Sequence, residues 1–110
     1  MAISAVTPKS WKLNSYTNST WTDLVAGTAS GESVKGLTIA NNAAGDVTVS
    51  VRVVTSGGTL EATILPLTVF ATMAAQTLAI DVINLTASQK IQVQANLPGV
   101  EFYASGVTYA

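Results

Sequence analysis

Six carboxylates, Asp23, Glu32, Asp46, Glu61, Asp81 and Glu101, are the side chains of this 110-residue sequence best suited to acid–base chemistry. A glycoside hydrolase needs two of them facing each other across a groove. Most fall instead on outward strand positions or beside turns, where a solvated face explains them. The sequence has no histidine and no cysteine. That removes the commonest general base, the commonest metal ligand and all thiolate and disulfide chemistry. A serine nucleophile is left without a base. No Asp-x-Asp-x-Asp spacing gathers oxygens for Ca²⁺ around Asp23 or Asp46. Ser56-Gly57-Gly58-Thr59 lacks the lysine and the following helix of a phosphate-binding loop. No enzymatic activity, cofactor or metal is expected.

The basic residues, Lys9, Lys12, Lys35, Arg52 and Lys90, are dispersed apart from the first pair, and the formal net charge is −1. Nucleic-acid binding needs clustered Lys and Arg, so it is not expected. Lys9 and Lys12 flank Trp11, a pattern that suits either an acidic partner or a solvated arm. Trp11, Tyr16, Trp21, Phe70, Phe102, Tyr103 and Tyr109 would serve a carbohydrate-stacking platform, but they are spread over many elements, as core and interface aromatics are. Asn18-Ser19-Thr20 and Asn84-Leu85-Thr86 match the glycosylation sequon. The first residues lack the basic-then-apolar order of a signal peptide, which makes both chance matches. The apolar-rich run from Ile64 to Ala75 is too short to span a bilayer. The expected setting is a cytoplasm, left only by lysis, with no membrane partner.

Alternation dictates the elements that carry these residues. Val47, Val49, Val51 and Val53 occupy alternate positions, with Thr48, Ser50 and Arg52 between them. Strand side chains point to opposite faces in turn, so the pattern predicts a central strand over Asp46–Thr55 with one face on a core. Thr20–Val25 is a first strand anchored by Trp21. Glu32–Ala40 is a second, in which Leu37 and Ile39 alternate but Val34 has the opposite parity. A bulge at Gly36 would restore the face. Asn41-Asn42-Ala43-Ala44-Gly45 reads as a hairpin loop, so the second strand and the valine strand are expected to pair. Ser56-Gly57-Gly58 turns into a strand over Thr59–Leu65, which Pro66 ends or places on an edge. Leu67–Ala75 is a crossover with a short strand at its start. Gln76–Leu85 carries Leu78, Ile80 and Val82 on one face. Lys90–Ala95 turns Ile91, Val93 and Ala95 inward, and Val100–Tyr109 is the closing strand.

Turn signals recur every ~8–12 residues, as in a sandwich or barrel. The expected fold is all-β: one antiparallel β-sandwich, Ig-like or jelly-roll-like, of about seven or eight strands. It occupies residues 20–110 behind an N-terminal arm over 1–19. Trp11, Leu13 and Tyr16 are the residues of that arm expected to anchor it on its own domain or on a neighbouring subunit. Hydrophobic residues make up 48% of the sequence and charged residues 10%, against about 25% charged in a typical domain. A surface of Thr, Ser, Asn, Gln, Ala and Gly is cheap to desolvate and suits permanent contact between subunits.

The order Trp21-Thr22-Asp23-Leu24, a Gly/Thr loop, Ser33-Val34-Lys35-Gly36-Leu37-Thr38-Ile39-Ala40-Asn41 and Val47-Thr48-Val49-Ser50-Val51-Arg52 resembles a group of small tailed-bacteriophage virion proteins. Lys90-Ile91-Gln92-Val93-Gln94-Ala95 and Val100-Glu101-Phe102-Tyr103-Ala104-Ser105-Gly106-Val107 continue the likeness, which covers most of 21–107. Two loops depart from it: 26–31 lacks a proline, and 86–89 lacks a Gly-Asp turn. The resemblance implies a non-catalytic structural sandwich of the virion. Composition leans toward a capsid decoration protein, a homo-oligomer (trimer favoured) on the major capsid protein, assembled in the host cytoplasm. The alternatives are a tail, baseplate or fibre-associated protein contacting host glycans, and a free carbohydrate-binding module.

Overall fold

The computed structural model describes residues 5–13, 21–71, 75–78, 83–97 and 99–109. Nine strands follow one another among them: β1 (Val6–Leu13), β2 (Thr22–Ala26), β3 (Glu32–Asn41), β4 (Val47–Thr55), β5 (Leu60–Phe70), β6 (Ala75–Leu78), β7 (Ile83–Leu85), β8 (Gln89–Ala95) and β9 (Val100–Tyr109). They form two antiparallel sheets packed as a sandwich. The first has the order β1-β9-β3-β6, with β7 also paired to β3, and the second has the order β2-β8-β4-β5.

The valine strand is β4, an inner strand between β8 and β5. Val47, Val49 and Val51 are buried with Ile91, Val93 and Ala95 of β8 and with Leu37, Ile39 and Phe102 of the opposite sheet. Each such side chain is worth about 1.5–3 kcal/mol on burial, so alternation alone accounts for both inner faces. Val34 also faces inward, because the pairing of β3 with β9 slips between Val34 and Gly36. The bulge expected at Gly36 is therefore present. Lys35 and Gly36, two residues between inward Val34 and inward Leu37, share the outer face.

Three expectations need correction. First, β3 and β4 do not pair: β3 lies in the first sheet and β4 in the second. The loop between them changes sheets because Asn41 pegs it there. Buried Asn41 donates from Nδ2 to the carbonyls of Gly45 (3.1 Å), Phe70 (3.0 Å) and Ala71 (3.1 Å) and accepts from the Ala43 amide (2.9 Å). Second, the segment expected as an arm rather than a core element is, over Val6–Leu13, an edge strand paired residue for residue with β9. Pro8 is tolerated there because an edge strand pairs on one side only. Third, Trp21 is not a core anchor. It is half-buried, and Leu24 and Val25 fill the core instead. A register shift between Asp23 and Val25 turns both of those side chains in.

β5 runs past Pro66 to Phe70 along the edge of the second sheet, with Leu65 opposite Val51 and Thr68 opposite Val49. The next strand, β6, belongs to the first sheet, so the chain changes sheets between Phe70 and Ala75; of the crossover expected over Leu67–Ala75, Leu67–Phe70 instead continue β5. Over Gln76–Leu85, β6 and β7 follow each other along the same side of β3. Ile80, Asp81 and Val82, and the side chain of Leu78, lie outside the described residues.

Candidate functional site

Of the three residues expected to make partner contacts, Trp11 and Leu13 sit on the inward face of β1. They pair with Ala104 and Phe102 and pack, half-buried, against the core. Tyr16 lies outside the described residues. Trp11 and Leu13 thus fasten β1 to its own domain.

The carboxylates do not converge. Asp23 sits on the outer face of β2, Glu61 on β5, Glu101 on β9 and Asp46 in the loop before β4. Among the described residues, no three His, Cys, Asp or Glu side chains gather where a metal ion could be held. Asp81 is outside them. Glu32 is the exception to solvation: it is 1% exposed, shares the inward parity of Val34, and neither carboxylate oxygen has a hydrogen-bond partner among the described residues. Sequence alone gave no sign of this, since Glu32 opens a strand after a glycine turn and reads as solvated.

Three surface features remain. On the outer face of the second sheet, Arg52 lies over the Trp21 ring at 3.8 Å from its centroid. Arg52 also donates from Nε (3.0 Å) and Nη2 (2.8 Å) to Gln92 Oε1. Gln92 Nε2 donates to Asp23 Oδ1 at 2.9 Å, and Lys90 Nζ meets Asp23 Oδ2 at 3.2 Å. Asp23 answers Lys90, while Arg52 rests on the Trp21 ring and the neutral Gln92 amide, so the ladder braces three strands, β4, β8 and β2. Being partly exposed, the Lys90–Asp23 pair is worth no more than about 1 kcal/mol.

At the far edge of the same sheet, Leu67 (72% exposed), Val69 (67%) and Leu60 are open to solvent on β5. A cavity of about 280 Å³ lies between Leu67, Thr48, Gln94 and Asn96, an apolar floor with amide walls and no charge.

The third feature lies on the outer face of the first sheet. A shallow cavity of about 340 Å³ is lined by Pro8, Lys9, Ser10, Tyr103, Ser105 and Gly106. Gly106 is required there: a Cβ would run into the Ser33 carbonyl, where β3 and β9 approach at the bulge. On this face Lys12 Nζ sits 5.8 Å from the Tyr103 ring centroid; on the opposite side of β1 Lys9 Nζ is 5.6 Å from that of Trp11.

No family model matches this sequence, and no curated protein matches it. Among solved structures the chain is similar to a Podospora anserina GH26-CBM35 β-(1,4)-mannanase, with a TM-score of 0.46 and 12% sequence identity. The match covers 94% of this chain and 28% of that one. So distant a likeness carries no argument about function.

Proposed function

We propose that this chain is a non-enzymatic structural protein of a bacteriophage virion, a decoration protein that packs as a homo-oligomer on the major capsid protein. The observation that carries the proposal is the surface. With 10% of its residues charged, the sandwich presents Leu60, Leu67, Val69, Val6 and Tyr103 to solvent, where Thr, Ser, Asn and Gln dominate the remainder. Such a surface loses little hydration when covered. The resemblance of 21–107 to small virion proteins supplies the setting. The dispersed carboxylates support a role without catalysis.

Light scattering on the purified protein, alone and mixed with undecorated expanded capsids, tests this. A discrete trimer that saturates capsids is the expected result. A protein that ignores capsids overturns decoration. Binding to isolated tails or baseplates would then place it there.

A further inference from the structure

The hollow on the outer face of the second sheet follows from three neighbouring strands. Outward parity on β4 and β8 sets Ser50 opposite Gln94 and Thr48 beside Asn96. Ser50 is small, and its hydroxyl is committed to the Leu65 carbonyl at 2.9 Å. On the other side of Ser50, β5 bulges: Pro66 and Leu67 together stand against it, between the Thr68–Val49 and Leu65–Val51 pairs. The bulge leaves Leu67 72% exposed. A small side chain between larger neighbours opens the cavity of about 280 Å³ that Thr48, Leu67, Gln94 and Asn96 line.

Asn96 is held there in one orientation. Its Oδ1 accepts from the Thr48 amide at 2.8 Å, and its own amide donates to the Thr48 carbonyl at 3.1 Å. A backbone N–H can only donate, so the side-chain atom facing it is the oxygen. Asn96 Nδ2 therefore keeps two donors without a partner among the described residues. Thr48 adds a hydroxyl and Gln94 a second amide, and no charged side chain lines the hollow. Amide and hydroxyl groups both donate and accept, as the hydroxyls of a sugar do. Exposed Leu67 matches the C–H face of a pyranose ring. We infer that this hollow binds a neutral sugar, one ring resting on Leu67 with its hydroxyls on Asn96, Gln94 and Thr48. Small-molecule sites usually run to roughly 300–1,000 Å³, so the hollow suits a single ring. A nucleotide is disfavoured, because the lining has no aromatic ring to stack a base and no cation to meet a phosphate. An acidic sugar would bring a carboxylate that nothing in the lining answers. The inference goes beyond the assembly role above and does not rest on it.

The test is an NMR titration of the isotope-labelled full chain with the methyl glycosides of glucose, galactose and mannose, and with N-acetylneuraminic acid as the acidic counterpart. The expected result is saturable binding of at least one neutral glycoside. It should move the side-chain amide signals of Asn96 and Gln94 together with the backbone amides of Thr48 and Leu67. N-acetylneuraminic acid should bind roughly tenfold more weakly or not at all. Asn96→Asp keeps an oxygen for the Thr48 amide and loses the Nδ2 donors, and should weaken binding by about fivefold or more. Leu67→Ser removes the apolar floor and should weaken it by a similar factor. Both positions are exposed, so both variants should melt as the parent does. If Asn96→Asp melts lower, Leu67→Ser decides alone. Four results overturn the inference: no saturable shift with any neutral glycoside, shifts centred elsewhere on the chain, equal binding of N-acetylneuraminic acid, or unchanged affinity in a variant that keeps its fold. Capsid binding is read in a separate experiment, so failure there leaves these outcomes legible.

Discussion

Glu32 is the residue whose chemistry and surroundings disagree most. A buried carboxyl group without a hydrogen bond costs about 1–3 kcal/mol or more, and nothing in the described residues repays it. Glu32→Met keeps the length and drops the polarity, and should raise stability by about 1–3 kcal/mol in urea denaturation. A fall in stability would mean that the carboxylate is satisfied in the folded chain after all. Asn41 is the opposite case, a buried amide with every described partner in place. Asn41→Ala strands the carbonyls of Phe70 and Ala71 and should cost about 2–3 kcal/mol by the same measurement. A loss below 0.5 kcal/mol would show that the loop holds its crossing without the peg. Little of this was legible in the sequence. An asparagine before a glycine-containing loop signals a turn, but not that the turn leaves one sheet for the other. Trp21 misled for a related reason. Its size suggests a core, yet the bulge at Leu24 turns two aliphatic neighbours inward and leaves the indole under Arg52.

At the scale of elements, alternation carried most of the fold. β4, β8 and the bulge in β3 follow from the parity of Val47–Val53, Ile91–Ala95 and Val34/Leu37/Ile39, because a period of two admits no other buried face. Val49→Asp should therefore abolish folding, placing an unpartnered charge between two inner faces. A soluble Val49→Asp protein with a cooperative melt would refute the assignment. Partnership was not legible, because parity says which way a residue points and not which strand lies beside it. β1 shows the same limit. An edge strand buries one face at most, so Pro8, Lys9 and Lys12 resemble an arm even though Trp11 and Leu13 rest on the core. Removing residues 1–13 should lower stability by roughly 2–4 kcal/mol, the worth of two half-buried large side chains. Unchanged urea midpoints would return the segment to the status of an arm.

For the whole molecule, the scarcity of charge and the unlike surfaces of the two sheets matter more than any one residue. The second sheet ties its outer charges into the Arg52–Gln92–Asp23–Lys90 ladder, and on the outer face of the first Lys12 and Lys35 have no ion pair among the described residues. Salt should therefore weaken any assembly through the first sheet and leave contacts through Leu67 and Val69 unchanged or strengthened. Sedimentation at low and high ionic strength distinguishes the two. A single response to salt at both surfaces would show that the faces do not act separately.

β9 pairs with β1 on one side and β3 on the other, and it is the last of the nine strands. During synthesis, then, the first sheet has no centre until Val100–Tyr109 has emerged. β1 waits for almost the whole chain, and β3 meanwhile exposes Val34, Leu37 and Ile39 to whatever is nearby. The pairings of β9 with β1 and β3 therefore form after those of the second sheet, which makes completion of the first sheet a slow, concerted step. A ribosome stalled before Val100 should release a chain that chaperones hold and proteases destroy, and never a half-built sandwich.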